Sequence, residues 1–591
     1  MKAISLLLNS LVRGVVTVSY RPGRSAIAIP PGSSGKLLTN AAVLALLCAP
    51  MILRGAPAMP GVYEYSQAGG GAVQLNLHGD ENNRWYTDAA GYTVLQDAAT
   101  GAFVYAVRDA IGQIVPGALA VGAGDPAGVA SKAIPRRSAA GVPDAQGIPQ
   151  PALQVGASNP YKVASIGTMR NLVLLVEFSD LAHTIDQSNF DNLFNETGHT
   201  ADGAQGSVKD FYTAVSYDQL TIESTVTPWI TLDNGYAHYD EDFGDVRAMV
   251  TEALAKLDAT GFDFSTMDGD GDGWVDGLTV IHAGYDQAQG GPTLSIWSHY
   301  WNLTGAVTYD GVQMQPYHTE SELRGNSGTG IVRIGVICHE TGHFLGLPDL
   351  YDYGYDSAGV GDFCLMASGS WNGGGIVPAF FSAWCKKTLG WVTPFNINGG
   401  GTFSLARIAT NQSMAYIRGD TWPAGEYILI ENRQAVTYDS YLPGPQRGLL
   451  IWHVDENQAN NDDQNHYLVD LEEADGIQHL QLNAGSGSED DYFRNGNNTA
   501  FTSDSDPSSE SYAAIPLGYD ISAISASGST MTLVVGDTGE TTENIHEIVP
   551  LDGVSKVDAT IHQDGSGVTH AVYVDRDNWV LKYAYSNPDD D

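Results

Sequence analysis

The spacing of apolar and polar positions changes in steps along this chain. Between residues 59 and 115, short apolar runs (Val73–Leu77, Thr93–Leu95, Phe103–Val107) alternate with turns at Gly79-Asp80 and Gly91-Tyr92. That rhythm predicts short β-strands. Residues 116–160 are rich in Ala, Gly and Pro and read as a flexible linker. From Leu172 to Val176 the apolar run is unbroken, which suits a strand buried on both faces of a sheet. A helix over Val208–Ser216, a strand over Leu220–Ser224, a helix over Val246–Leu257 and a buried strand over Leu278–His282 follow. Ile331–Ile337 leads into a further helix, and another is expected from Pro378 to Leu389. Strands interleaved with helices predict an α/β fold.

Beyond Asn396 the helical spacing stops. Tyr427–Glu431, Leu449–Val454, His479–Leu482 and Thr530–Val535 read as strands separated by Gly and Asp turns, a β-sandwich-like pattern. Residues 556–586 read as a three-strand meander, Val557–His562, Thr569–Val574 and Val580–Tyr585, similar to one unit of a propeller repeat. A single such unit cannot bury both faces, so a truncated repeat array is expected there.

The chemistry concentrates at His339-Glu340-Thr341-Gly342-His343-Phe344-Leu345-Gly346-Leu347-Pro348-Asp349. His339 and His343 stand at i and i+4 on one helical face, so both imidazoles reach one ion. Glu340 sits round the helix, placed for a water on that ion rather than for the ion itself. Gly346 ends the helix, Pro348 prevents its resumption, and Asp349 turns back to offer a third ligand. Two imidazoles and a carboxylate with an open fourth position are a catalytic zinc arrangement. Glu340 is then the general base that takes a proton from water attacking a peptide carbonyl.

This motif resembles the metzincin signature with Asp in the place of the third His. Met366, in Gly361-Asp362-Phe363-Cys364-Leu365-Met366-Ala367-Ser368-Gly369-Ser370-Trp371, matches the methionine turn of that group. Together with Leu347–Asp352, the runs Gly206–Tyr212, Ile281–Gly284, Ile296–His299, Ile430–Arg433 and Gly448–Asp455 resemble the immune inhibitor A-type secreted metalloproteases of bacteria. The likeness covers roughly residues 59–535. It implies an α/β metzincin-like zinc protease domain, preceded by a small β-rich pro-segment and followed by an all-β sandwich-like domain. The expected boundaries are 1–58 for a targeting segment, 59–115 for the pro-segment and 116–160 for the linker, with Arg136-Arg137 as a processing site. Residues 161–395 form the catalytic domain, 396–540 the β domain, and 541–591 a linker and partial repeat. No Cys lies in the pro-segment, so latency would need a carboxylate or steric cover.

In the targeting segment Lys36 precedes the apolar run Ala41–Leu47, and Ala56-Pro57-Ala58 supplies small residues at cleavage spacing. The run is too short to span a membrane. Cys48 is not read as a lipid anchor, because Leu47 is too large for the preceding position. The 35 residues ahead of this signal fit an initiator Met assigned too far upstream.

Acidity narrows the partners. In 591 residues, 28 Lys+Arg against 69 Asp+Glu give a formal charge of −41. That excludes a nucleic-acid binder drawn by phosphate charge and disfavours anionic lipid. It suits a secreted protein acting on proteins or peptides without stable membrane insertion; oligomeric state is not legible. Asp268, Asp270, Asp272 and Asp276, with the main-chain carbonyl of Trp274, have the spacing of a calcium loop. Thr279 stands where an EF-hand has Glu, so a structural Ca²⁺ site short of a full EF-hand is expected beside the Zn²⁺. Outside a signal segment the cysteines are Cys338, Cys364 and Cys385, and a Cys338–Cys364 disulfide would tie the zinc helix to the methionine turn. His282, His299 and His318, and with them Tyr351 and Tyr353, stand as lesser cleft candidates. The rival reading is a non-catalytic secreted or surface binding protein with a relic protease domain; a relic has no physical need for Glu340.

Overall fold

The computed structural model of the chain describes residues 55–127, 132–135, 163–239, 246–293 and 295–537, with three strands between 559 and 586. Arg136-Arg137, most of the expected linker and residues 1–54 lie outside the described residues.

The first sheet is an antiparallel meander of six strands in sequence order: β1 Val62–Ser66, β2 Ala72–Gly79, β3 Arg84–Thr87, β4 Thr93–Gln96, β5 Phe103–Arg108 and β6 Ile114–Ala120. Alternate residues of β1 and β2 are buried, so Tyr63, Tyr65, Val73, Leu75 and Leu77 form one apolar face. Ala288 and Trp297, from the next part of the chain, complete that core. The ladder continues past position 116, where the sequence predicts linker. β6 is the edge strand, where Pro116 costs no ladder bond on the open side.

The central sheet contains β7 Gly167–Glu177, β8 Leu220–Thr231, β9 Gly277–Tyr285, β10 His299–Tyr309 and β11 Val312–Leu323, in the order β10-β11-β9-β7-β8. β11, β9, β7 and β8 run parallel to one another, and β10 is an antiparallel edge. β7 explains its unbroken apolar run. Met169, Val173 and Leu175 enter one core, while Leu172, Leu174 and Val176 enter the other. α1 Gln187–Asn195 and α2 Val208–Val215 contribute to the first core. α2 starts at a capping box in which Ser207 and Asp210 satisfy each other's main-chain N–H. α3 Val246–Asp258 covers the opposite face. α4 Ile334–Phe344 lies in the first core with every residue buried. α5 runs from Ala383 to Thr388; it begins later than the apolar pattern predicts because Ser382 caps it by accepting the Cys385 N–H.

The rest is β-structure. β12 Phe395–Asn396, β14 Met414–Ile417, β15 Glu426–Arg433, β16 Gly448–Asp455 and β17 Val469–Leu471 form one sheet. β13 Gly401–Ala406, β19 Thr530–Asp537 and β18 Tyr519–Ser522 form a second. The two share a core that includes Leu405, Ile417, Ile428, Ile451, Ile521 and Leu533. The other face of β15 and β16, including Leu429, Leu450 and Trp452, joins the same core as α4. His479–Leu482 is not a strand: its main-chain N–H groups turn onto the Glu473 carboxylate. β20 Ala559–Gln563, β21 Thr569–Asp575 and β22 Val580–Ser586 form an antiparallel meander. No helix of the described residues is long and apolar enough to cross a membrane.

Candidate metal centre

α4 stops where its sequence demands. Gly346 adopts φ +87°, its N–H bonds His343 O at 2.9 Å, and Leu347 N–H bonds Gly342 O at 3.3 Å. This paired closure turns the chain so that Asp349 faces back to the helix. Asp349 Oδ1 lies 3.0 Å from His339 Nε2 and 3.5 Å from His343 Nε2. The outer nitrogens are engaged: His339 Nδ1 meets Leu365 O at 2.8 Å, and His343 Nδ1 meets Leu347 O at 2.9 Å. Each Nδ1 therefore carries hydrogen, and each neutral ring turns an Nε2 lone pair towards Asp349. Lone pairs at this distance repel unless a cation lies among them.

His339 Nε2 and Asp349 Oδ1 have no hydrogen-bond partner among the described residues although both side chains are buried. Two imidazole nitrogens and a carboxylate oxygen are a donor set that zinc takes. The residues fit the ion. Tyr353 O–H donates to Asp349 Oδ2 at 2.6 Å and fixes its orientation. Met366 packs under the helix: a Cβ on Gly342 would lie 2.6 Å from its sulfur. Met366 O also accepts the Leu350 N–H at 2.7 Å.

Glu340 is buried, and its Oε2 is 3.9 Å from His343 Nε2. Burial, then the charges of Glu320 and Asp349, push its carboxyl well up. Its Oε1 accepts the Ala56 N–H at 2.8 Å. Ala56 belongs to an extended strap ahead of β1 that is held by its main chain. Tyr351 O–H donates to Gly55 O at 2.6 Å, Trp297 Nε1–H to Ala56 O at 2.9 Å and Trp371 Nε1–H to Pro57 O at 2.7 Å. Met59 N–H donates to Ala288 O at 2.7 Å. Sequence reasoning reached Tyr351 only as a lesser cleft candidate and missed Trp297 and Trp371 as donors. Trp297 and Trp371 sit in quoted motif runs, but nothing in those runs says that their N–H groups grip a peptide.

The remaining candidates separate. His282, His299 and His318 are all buried, and none joins the metal group. Burial lowers His282 and His299 to about 4, which keeps them neutral. His318 packs behind α4 with Nδ1 2.7 Å from Glu320 Oε1. Asp268, Asp270 and Asp276 bring carboxylate oxygens within 4.8 Å of one another without Asp272, and all four carboxylates accept main-chain N–H groups of the loop. Burial raises Asp276 to about 6, with Asp270 and Asp268 adding to the shift. The expected Cys338–Cys364 disulfide is absent: all three described cysteines are free thiols. Cys364 instead faces Cys385 with sulfurs 4.0 Å apart, because the Ser382 cap brings the start of α5 against residue 364.

A buried H-E-x-x-H helix, a carboxylate returned by a glycine turn and a methionine beneath it, on a mixed α/β sheet, are the arrangement expected of a metallopeptidase domain. Residues 161–392 match the family described as Immune inhibitor A peptidase M6, catalytic domain. Immune inhibitor A of Bacillus thuringiensis subsp. alesti is 30% identical over 278 residues, 37% of this chain and 40% of that protein. Pre-pro-metalloprotease PrtV of Vibrio cholerae serotype O1 (strain M66-2) is 29% identical over 291 residues, 40% of this chain and 30% of that protein. The chain thus spans less than half the length of these curated relatives.

Proposed function

We propose that this protein is a secreted zinc endopeptidase made as a latent precursor. The observation that carries the reading is the convergence of His339 Nε2, His343 Nε2 and Asp349 Oδ1 beside the Glu340 carboxylate. A zinc ion held there would supply Lewis acidity, lowering the pKa of water towards neutrality and offsetting charge on the scissile carbonyl. Glu340 takes the proton of the attacking water and later returns it to the leaving amine. Its raised affinity for protons suits both halves of that role. Leu365 O and Leu347 O hold the two imidazoles, and Tyr353 holds the carboxylate.

Latency follows from the strap. With Ala56 N–H on Glu340, the base is engaged and the peptide path is filled by residues 55–59. No thiolate is required. This reading ends the targeting segment ahead of Gly55, since cleavage after Ala58 would remove the strap. A structural calcium at Asp268, Asp270 and Asp276 is part of the proposal, supported by carboxylates that repel one another without a cation.

The test is casein hydrolysis by the purified protein, with zinc measured on each sample. Parent freed of the segment ahead of residue 161 should cleave, the same form chelated should not, and Glu340→Ala prepared in the same way should keep zinc but lose nearly all turnover. A Glu340→Ala enzyme as fast as the parent would sink the assignment.

A further inference from the structure

Strand β15 carries Ile430-Glu431-Asn432-Arg433, a run that neither the metal ligands nor the base accounts for. Glu431, Arg433, Asp439 and Lys386 of α5 are all 0–1% exposed. Lys386 Nζ lies 3.0 Å from Glu431 Oε2, and Arg433 Nη1 lies 3.1 Å from Glu431 Oε1. Arg433 grips Asp439 with two bonds, Nη2 at 2.6 Å and Nε at 2.8 Å. Two cations and two anions make a neutral buried cluster. Such clusters are poor sources of stability compared with apolar packing, so their fixed geometry is the property to examine.

That geometry points at the floor of the metal centre. Arg433 Nη1 also donates to Phe363 O at 3.2 Å and Phe381 O at 3.4 Å. Asp439 Oδ1 accepts the Phe380 N–H at 3.1 Å. The two segments so held meet each other: Leu365 N–H bonds Phe380 O at 3.4 Å, and Ser382 N–H bonds Cys364 Sγ at 3.3 Å. Leu365 O, two residues from Phe363, is the acceptor for His339 Nδ1.

We propose that the Arg433–Asp439 pair positions the metal centre from the β domain. It fixes the backbone of residues 363–366, and through Leu365 O it sets the ring orientation and tautomer of His339. Outer hydrogen bonds of this kind govern how tightly a histidine ligand holds its ion. The β domain is then a component of the centre. This rests on the reading of His339, His343 and Asp349 as a metal site.

The test uses the full chain and reads metal binding rather than proteolysis. Zinc affinity by chelator competition and the visible spectrum of the cobalt-substituted protein are measured for parent, Asp439→Asn and Lys386→Met. Asp439→Asn should weaken zinc about 10- to 100-fold and shift the cobalt spectrum. Lys386→Met disturbs the same cluster but touches neither carbonyl, so it should lower Tm and leave both metal readouts at parental values. A folded Asp439→Asn chain with parental affinity and spectrum overturns the proposal, as does an equal loss in Lys386→Met. If Asp439→Asn does not fold, hydrogen exchange on the parent decides. Coupling is reciprocal, so stripping zinc must speed exchange over residues 430–439, and unchanged exchange there overturns the proposal. A parent that binds no zinc removes the metal reading itself and this inference with it, which separates the two failures.

Discussion

Gly55→Ala should convert the latent precursor into an active enzyme without touching any catalytic group. A Cβ at position 55 would stand 2.6 Å from Ser298 O, 2.7 Å from Glu81 Oε2 and 3.1 Å from His299 Cβ. The backbone carbonyl and the β-carbon cannot swing aside as a flexible side-chain end could. The strap must lift at this point, breaking the bonds at Gly55 O, Ala56 N and Ala56 O. At about 1 kcal/mol net each, the loss is about 3 kcal/mol. That corresponds to roughly a hundredfold rise in the fraction of precursor with an open cleft. The assay is hydrolysis of a quenched peptide by uncut precursor, its intactness checked by mass spectrometry before and after. A folded, zinc-loaded Gly55→Ala precursor no faster than the intact parent would refute the strap as the cover.

Other consequences can be checked separately. Tyr353→Phe removes the bond to Asp349 Oδ2 and should weaken zinc by about tenfold or more, read by chelator competition. Calcium chelation should lower Tm, and Asp276→Asn should abolish that sensitivity; a Tm indifferent to calcium in the parent would remove the calcium site. In the β domain, burial pulls the His453 imidazolium down, but hydrogen bonds to Glu426 and Glu472 carry it up to about 9. Its stabilising charge is fully present below about 6.5 and is lost as pH rises through about 9. The worth is on the order of 3 kcal/mol, so His453→Gln should flatten unfolding free energy between those values. An unchanged pH slope in His453→Gln would show that other groups govern it.

Much of the centre was legible because its parts are contiguous. The residues proposed as helix ligands and base, and the glycine turn, lie within the span from His339 to Asp349, and their placement follows from local geometry. The apolar run of β7 likewise announced a strand covered on both faces. The strap was not legible: Gly55, Ala56 and Pro57 are gripped through carbonyls and an N–H that every residue possesses, so their side chains read only as a processing site. The β10–β11 hairpin was missed because His318, Glu320 and Glu322 are buried polar residues that break the expected alternation. The cysteine pairing failed because nearness in sequence to His339 and Met366 was weighed, while the Ser382 cap that sets the Cys364–Cys385 approach acts across a loop.

The continuous core beneath α4 also bears on inheritance. Leu429, Leu450 and Trp452 of the β domain pack in the same apolar cluster as Ile337 and Phe381 of the peptidase domain. A recombination crossover near residue 392 would leave both products with bare apolar faces. Neither half can then be exchanged freely between genes, and a substitution on one side of the boundary constrains what the other side accepts. The two should travel through evolution as a single cassette.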